Sequence, residues 1–242
     1  MTYCVGVKFN RGLAFMSDTR TNAGVDSISV FKKMYTWEVP GERAFVLLAA
    51  GNLATTQAVV SLLDERAKSV ADRSPTLLKT PSMYQTARLV GDTVKEVIAT
   101  SASGGQNADA FSASFILGGQ VKGGEPRLFL IYPEGNFIES SEDTPFFQIG
   151  ETKYGKPILI RAYDPDMSFS QATKLLAISF DSTIRSNLSV GMPLDMTFYE
   201  RDSLSLGYRA RLEQDDPYYK EVSERWSEAL RDTFNVLPDY PL

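Results

Sequence analysis

The feature that most restricts the fold is a change of period near residue 51. Residues 3–9, YCVGVKF, alternate and are rich in β-formers. The turn signal NRG follows, and LAFMSD (Leu13 to Asp18) completes a hairpin by pattern. A loop from Asn22 to Ser29 leads to KMYTWEV (Lys33 to Val39), the turn PGER and then AFVLLAAG. The first fifty residues therefore predict four strands in two successive hairpins. After Gly51-Asn52, the apolar residues Ala54, Ala58, Leu62, Leu63, Ala67 and Val70 recur at helical spacing. A loop from Ser74 to Pro81 precedes a second helix carrying Ala87, Val90, Val94, Val97 and Ile98, which the stretch SASGGQNAD closes. Strands resume with FSASFILGGQ and RLFLIYP, joined by KGGEP, and continue through NFIES and PFFQIG. A third helix is expected after Ser168, with Ala172, Leu176, Phe180, Ile184 and Leu188 on one stripe. MTFYE returns as a strand, and a last helix holds Val222, Trp226, Leu230 and Phe234.

Runs of strands separated by helices imply helices layered on antiparallel sheets, not an alternating doubly wound sheet. The expected class is α+β, a four-layer αββα sandwich of two antiparallel sheets with helices outside each. No composition shift, internal repeat or low-complexity tract divides the chain, so residues 1–242 are read as one domain.

Composition removes many chemistries. The chain has no histidine, which excludes Ser-His-Asp and Cys-His catalysis and His-ligated zinc, haem or iron. Cys4 is the only cysteine, so neither an intrachain disulfide nor a cysteine zinc site can form, and a reducing compartment is the simple reading. The net charge of -5, with no Lys/Arg stripe, argues against nucleic acid. No phosphate-binding or calcium-loop motif is present. The N-terminus lacks a signal-peptide layout, and the longest apolar run, AFVLLAA, is far too short to span a bilayer. A cytoplasmic protein without a membrane partner is expected.

Thr2 is the residue these exclusions leave in question. A threonine hydroxyl needs a base within reach. Without histidine that base is a carboxylate, a lysine made neutral by its surroundings, or an N-terminal α-amine, which in a simple peptide titrates at about 7.7–8.0. The last option requires Thr2 to lead the mature chain, and it is small enough for methionine aminopeptidase to remove Met1. The first hairpin brings SDTR (Ser17 to Arg20) beside the start of the first strand. There Asp18 can hold a lysine ammonium and Arg20 adds positive charge. Lys32-Lys33 lies close in the meander, and an ammonium beside the hydroxyl would favour its ionised form. Gly51 offers a backbone N–H at a helix N-terminus, suited to an oxyanion. Taken singly, each has a structural explanation: a polar turn, a solvated strand end, and a tight strand-to-helix turn with Asn52 as N-cap.

Together, in this order, they resemble a family. TYCVGVKFNRGLAFMSDTRTNAG…FKKMYTW…VLLAAGNLATTQAVVSLL is similar to β-type proteasome subunits. Such subunits start with a mature threonine, carry Asp-x-Arg after the first hairpin, open the third strand with a lysine and place Ala-Gly before the first helix. The resemblance is closer still to the bacterial group of proteasome homologues called Anbu, in which Thr follows the initiator methionine directly. It implies the N-terminal nucleophile hydrolase sandwich, with Thr2 as nucleophile and its own amine as base. Lys33 would match the family lysine, with Lys32 as the alternative. Asp18 and Arg20 would support that lysine, and Gly51 would supply the oxyanion donor. Ala49, lining a roomy specificity pocket, and Thr21 would contact substrate. The resemblance also implies a homo-oligomer (a ring or open-ring spiral, such as a dodecamer) and a peptide or protein substrate. An unfoldase or peptide-modifying partner and the absence of any cofactor are implied as well.

The chain departs from that pattern in three places. Where the family has Ser after its Gly turn, Gly150 is followed by Glu151. The family's later Asp and Ser fall near Asn187 and Val190, and Ser189 has no assigned counterpart. Residues 200–242, including DDPYYKEVSERWSEALRDTF, form a C-terminal extension whose helix suits packing or subunit contact. Two other readings remain at this level: a catalytically silent scaffold or peptide-binding ring, and a small-molecule amidase of the same class.

Overall fold

Tight turns and apolar strands build the first sheet. The computed structural model describes residues 2–22, 28–68, 75–103, 105 and 107–241. Strands β1 (Tyr3–Phe9) and β2 (Gly12–Asp18) pair antiparallel from Cys4↔Ser17 to Phe9↔Gly12. Further along the chain come β3 (Arg20–Asn22), β4 (Ile28–Val30), β5 (Met34–Val39), β6 (Arg43–Gly51), β7 (Ala113–Val121), β8 (Arg127–Ile131), β9 (Phe137–Glu139), β10 (Phe146–Gly150), β11 (Leu194–Glu200) and β12 (Arg209–Leu212). One sheet has the order β10-β1-β2-β11-β12 and the other the meander β5-β6-β7-β8-β9. The helices are α1 (Leu53–Ala67), α2 (Met83–Ser101), α3 (Lys156–Ala162), α4 (Phe169–Ser186) and α5 (Pro217–Val236).

Three apolar clusters define the layers. Leu13, Phe15, Val46, Leu48, Ile116 and Leu128 fill the space between the sheets. Phe45, Leu47, Phe115 and Leu117 point the other way, onto Leu63 of α1 and Val90 and Val94 of α2. Val5, Val7 and Met16 face Leu159 of α3 and Leu176 and Phe180 of α4. Helices thus cover both outer faces, and every residue of β2 is buried because both its faces are covered. Helix α5 packs against α4, where Ser223 Oγ donates to Asp181 Oδ1 at 2.7 Å.

Three expectations change. The loop between Asn22 and Ser29 is flanked by β3 and β4, which pair from Arg20↔Val30 to Asn22↔Ile28 as a small second hairpin. Helix α3 and strand β12 add elements the pattern did not signal. The first has seven residues with Pro157 in its first turn, and the second has four residues at a sheet edge, too short for either period to show. The helical stripe drawn through Leu188 stops early. Helix α4 ends at Ser186, Asn187 turns extended at φ −142°, and Leu188 lies 86% exposed. Met1, residues 23–27, Ser74 and Val70 lie outside the described residues. No described helix is long and apolar enough to cross a membrane.

Alkaline pH should destabilise this core. Tyr3 and Cys4 are fully buried, and loss of hydration pushes the Tyr3 phenol up to about 12 and raises the Cys4 thiol as well. A group whose folded pKa lies above its unfolded value contributes stability that is complete below the unfolded pKa. That stability is lost as pH rises towards the folded pKa, at up to about 1.4 kcal/mol per pH unit per group. Between pH 8 and 10.5 the free energy from urea titration is expected to fall by more than about 2 kcal/mol. A Cys4→Ala variant should show a shallower slope from pH 8.5 upward.

Candidate active site

Thr2 is held from two sides by neighbouring strands. The Glu151 N–H donates to its carbonyl oxygen at 2.6 Å, and the next peptide N–H, that of Tyr3, donates to Asp18 Oδ1 at 3.0 Å. Tyr3 is itself anchored by its hydroxyl, which lies 2.7 Å from Ser179 Oγ and accepts from Gln148 Nε2 at 2.6 Å. Gly150 closes β10 opposite Tyr3 at φ +83°. A Cβ on Gly150 would lie 1.9 Å from the Thr2 carbonyl oxygen and 3.3 Å from Thr2 Cβ, so only glycine permits this approach.

The hairpin register that puts Ser17 opposite Cys4 also puts Asp18 at the start of β1. Lys33, just before β5, donates from Nζ to Asp18 Oδ1 at 2.8 Å and to the Arg20 carbonyl at 2.5 Å. Its own carbonyl accepts the Ala49 N–H at 2.9 Å, which ties it to β6 of the second sheet. Asp18 is fully buried and Lys33 is 5% exposed. Burial pushes the Asp18 carboxyl above its usual range, against the opposing pull of the Lys33 ammonium. Lys32 is exposed instead, with Nζ 5.4 Å from the Tyr35 ring centre. Of the two lysines, the structure brings Lys33 to Asp18. Arg20 meets Lys33 through its carbonyl, while its guanidinium turns to the Leu188 carbonyl at 2.9 Å and packs on Gly191.

Ala49 and Gly51 lie at the end of β6. Ala49 is buried, and its carbonyl faces Cys4 Sγ at 3.7 Å. Gly51 is exposed at φ +114°, where a Cβ would meet the Ser112 carbonyl at 2.4 Å. Asn52 caps α1, its side chain accepting the Thr55 N–H at 3.1 Å. A cavity of about 310 Å³ lies between Gly51 and Gly150, with Ser112, Ser114 and Gln148 among its walls. Thr21 sits half-buried on β3. Among the described residues its Oγ1, Asp18 Oδ2 and Ser17 Oγ are buried without a hydrogen-bond partner. No group of acidic residues or cysteine capable of holding a metal ion occurs among the described residues.

Three residues that the sequence marks as departures from the family pattern, Glu151, Asn187 and Ser189, are joined in the structure by bonds the sequence did not signal. The Glu151 carboxylate accepts from Asn187 Nδ2 at 2.9 Å and from the Lys153 N–H at 3.1 Å. Asn187 Oδ1 in turn accepts from Ser189 N–H at 3.0 Å and Ser189 Oγ at 2.6 Å. Val190 is fully buried in the α3–α4 core and offers the site no polar group. The available signal was the paired departure at positions 151 and 187, a carboxylate where a hydroxyl is usual and an amide where a carboxylate is usual.

The model of the family "Proteasome subunit" matches residues 2–197. The chain belongs to the proteasome subunit family. Its two five-stranded antiparallel sheets between helices are the proteasome-type, N-terminal nucleophile fold. Among solved structures it is 52% identical to Anbu from Hyphomicrobium sp. strain MC1, with a TM-score of 0.90 over 99% of this chain and 100% of that one. It is 48% identical to Anbu from Yersinia bercovieri, described as an ancestral β-subunit, with a TM-score of 0.93 over 99% of this chain and 100% of that one. It is equally 48% identical to the chain of a helical Anbu assembly from Pseudomonas aeruginosa, with a TM-score of 0.91 over 99% and 98%. No curated protein matches the chain. Residues beyond 197, including β12 and α5, fall outside the family match but within the span shared with these Anbu chains.

Proposed function

We propose that this proteasome-family subunit is an N-terminal threonine hydrolase of peptide bonds, active once Met1 is removed. The observation that carries the reading is the buried Asp18–Lys33 pair, fastened through the Tyr3 N–H to the strand that begins beside Thr2. Burying two charges is costly unless geometry repays it, so such a pair next to a threonine fits a chemical purpose better than a packing one.

In the proposed reaction the Thr2 hydroxyl oxygen attacks the substrate carbonyl carbon while the Thr2 α-amine takes the hydroxyl proton. Lys33, held by Asp18 and the Arg20 carbonyl, stabilises negative charge on the attacking oxygen, and the Gly51 N–H receives the oxyanion. The amine passes its proton to the departing amine as the C–N bond breaks. Water then attacks the ester, with the α-amine again accepting a proton, and frees the acid and Thr2. Ala49 and Thr21 would border the bound peptide. None of these steps requires a cofactor. A homo-oligomer is proposed too, a ring or open-ring spiral enclosing the sites, and the helical assembly formed by Anbu of Pseudomonas aeruginosa supports it. An unfoldase or peptide-modifying enzyme would then control access.

The test is intact mass after incubation with a peptide epoxyketone, which reacts with a free α-amine and a threonine hydroxyl together. Loss of Met1 with one adduct per chain, absent in Thr2→Ala, is the expected result. A chain that has lost Met1 yet forms no adduct would overturn the hydrolase reading in favour of a silent peptide-binding scaffold. An adduct without peptide cleavage, but with turnover of small amides, would narrow the substrate to that class.

A further inference from the structure

Glu151 is a buried carboxylate, 8% exposed, and among the described residues it has no cationic side chain as a partner. Its oxygens are met by neutral donors, the Lys153 peptide N–H and the Asn187 amide. Its own peptide N–H is bonded to the Thr2 carbonyl at 2.6 Å, so the residue that carries the charge is clamped to the residue that would begin the mature chain. Asn187, locked by both the N–H and the Oγ of Ser189, holds the carboxylate in place. Buried charges in folded proteins are ordinarily paired. Losing Met1 would create a cation on Thr2, the residue whose carbonyl the Glu151 N–H already holds.

We propose that Glu151 is the counter-ion of the α-ammonium at Thr2, a positioning residue that holds the amine base. The inference rests on the reading that Thr2 becomes N-terminal. The other charged groups around Thr2 are paired elsewhere or exposed to solvent. Asp18 on β2 and Lys33 before β5 neutralise one another at 2.8 Å. Arg20 on β3 directs its guanidinium to the Leu188 carbonyl, and Lys153 in the turn is exposed. The loop after α4 contributes the neutral Asn187 and Ser189. Glu151 is therefore the charge left to act on the amine. An anion at this position favours the ammonium, so the neutral base would appear at higher pH with Glu151 than without it.

The test measures the amine itself. The chain is prepared with Thr2 exposed by specific cleavage of a removable leader in place of Met1. It is then pulsed with formaldehyde and cyanoborohydride at pH 5–10, and methylation of the N-terminal peptide is read by mass spectrometry. Glu151→Gln, which keeps shape and removes charge, is expected to lower the midpoint of amine labelling by about 1 pH unit. Glu151→Asp should retain most of the wild-type midpoint, and Glu151→Ala, which brings no new amide to disturb Asn187, should follow Glu151→Gln. Turnover of a fluorogenic peptide amide in the same samples should move its acid limb down by the same amount. Equal midpoints in wild type and both charge-removing variants would overturn the counter-ion. A shifted midpoint with no turnover in any sample would leave the counter-ion standing and remove the hydrolase reading. Turnover with unshifted midpoints would do the reverse.

Discussion

Replacing Lys33 by alanine is expected to lower the unfolding free energy by about 3–5 kcal/mol and to abolish peptide turnover. Asp18 is fully buried, and its Oδ1 receives two donors, Lys33 Nζ and the Tyr3 N–H. Its Oδ2 has no partner among the described residues. Without the ammonium the buried carboxylate keeps only backbone N–H groups near it, those of Tyr3 and Gly191, and no cation. The sign of the pH dependence follows. Burial already raises the Asp18 carboxyl, and in the variant nothing opposes it. A group with a raised folded pKa contributes its stability below the unfolded value, near pH 4, and loses it as pH rises through the folded one. The deficit of Lys33→Ala should therefore be small at pH 4–5 and complete by pH 8. Chemical denaturation at both pH values checks this, and a deficit independent of pH would show that packing, not charge, is lost. Adding Asp18→Asn to Lys33→Met should recover most of the stability, because replacing both ions by neutral groups of similar size is often near neutral. It should recover no activity, and that separates the structural from the chemical contribution of the pair.

The same residues show why part of the site was legible in the sequence. A short turn between two strands leaves little freedom of register, so the run from YCVGVKF through NRG to LAFMSD already puts Asp18 beside the first strand. The glycine at the end of AFVLLAAG similarly marks where a strand gives way to a helix. Only the resemblance favoured Lys33 over Lys32, since both precede β5 and follow a loop of irregular length. Burial separates them in the structure, where Lys33 is buried on Asp18, with its carbonyl bonded to the Ala49 N–H of β6, and Lys32 is exposed. The Glu151–Asn187 bond joins residues 36 apart, contributed by a turn and a helix end. Neither has a period, and extending the α4 stripe to Leu188 concealed that the chain leaves the helix at Asn187. What could be read was set by local spacing, and what could not was set by loops meeting in three dimensions.

That meeting of loops predicts the second large effect. Gly150→Ala is expected to reduce turnover at least about 100-fold, because a displacement of order 1 Å at a reacting group costs that much. The added Cβ would stand 1.9 Å from the Thr2 carbonyl oxygen and 2.7 Å from its carbon, both backbone atoms with no rotamer through which to yield. Either β10 or the first residues of β1 must move, and with them go the Glu151-to-Thr2 bond and the Tyr3 link to Asp18. Backbone strain alone is separated by Gly123→Ala. Gly123 has nearly the same φ, +84° against +83°, but its Cβ would meet nothing within 4 Å. Both variants carry the cost of a left-handed alanine, about 1–2 kcal/mol, which thermal or urea denaturation measures. Only Gly150→Ala should lose turnover and epoxyketone labelling. If the two variants keep equal activity, Thr2 tolerates displacement, and its close contact with β10 has no part in the chemistry. If Gly150→Ala fails to fold while Gly123→Ala is merely weakened, the clamp on Thr2 is part of what holds the sheet together. In that case the hydrolytic role would have to be judged on Thr2 and Lys33 alone.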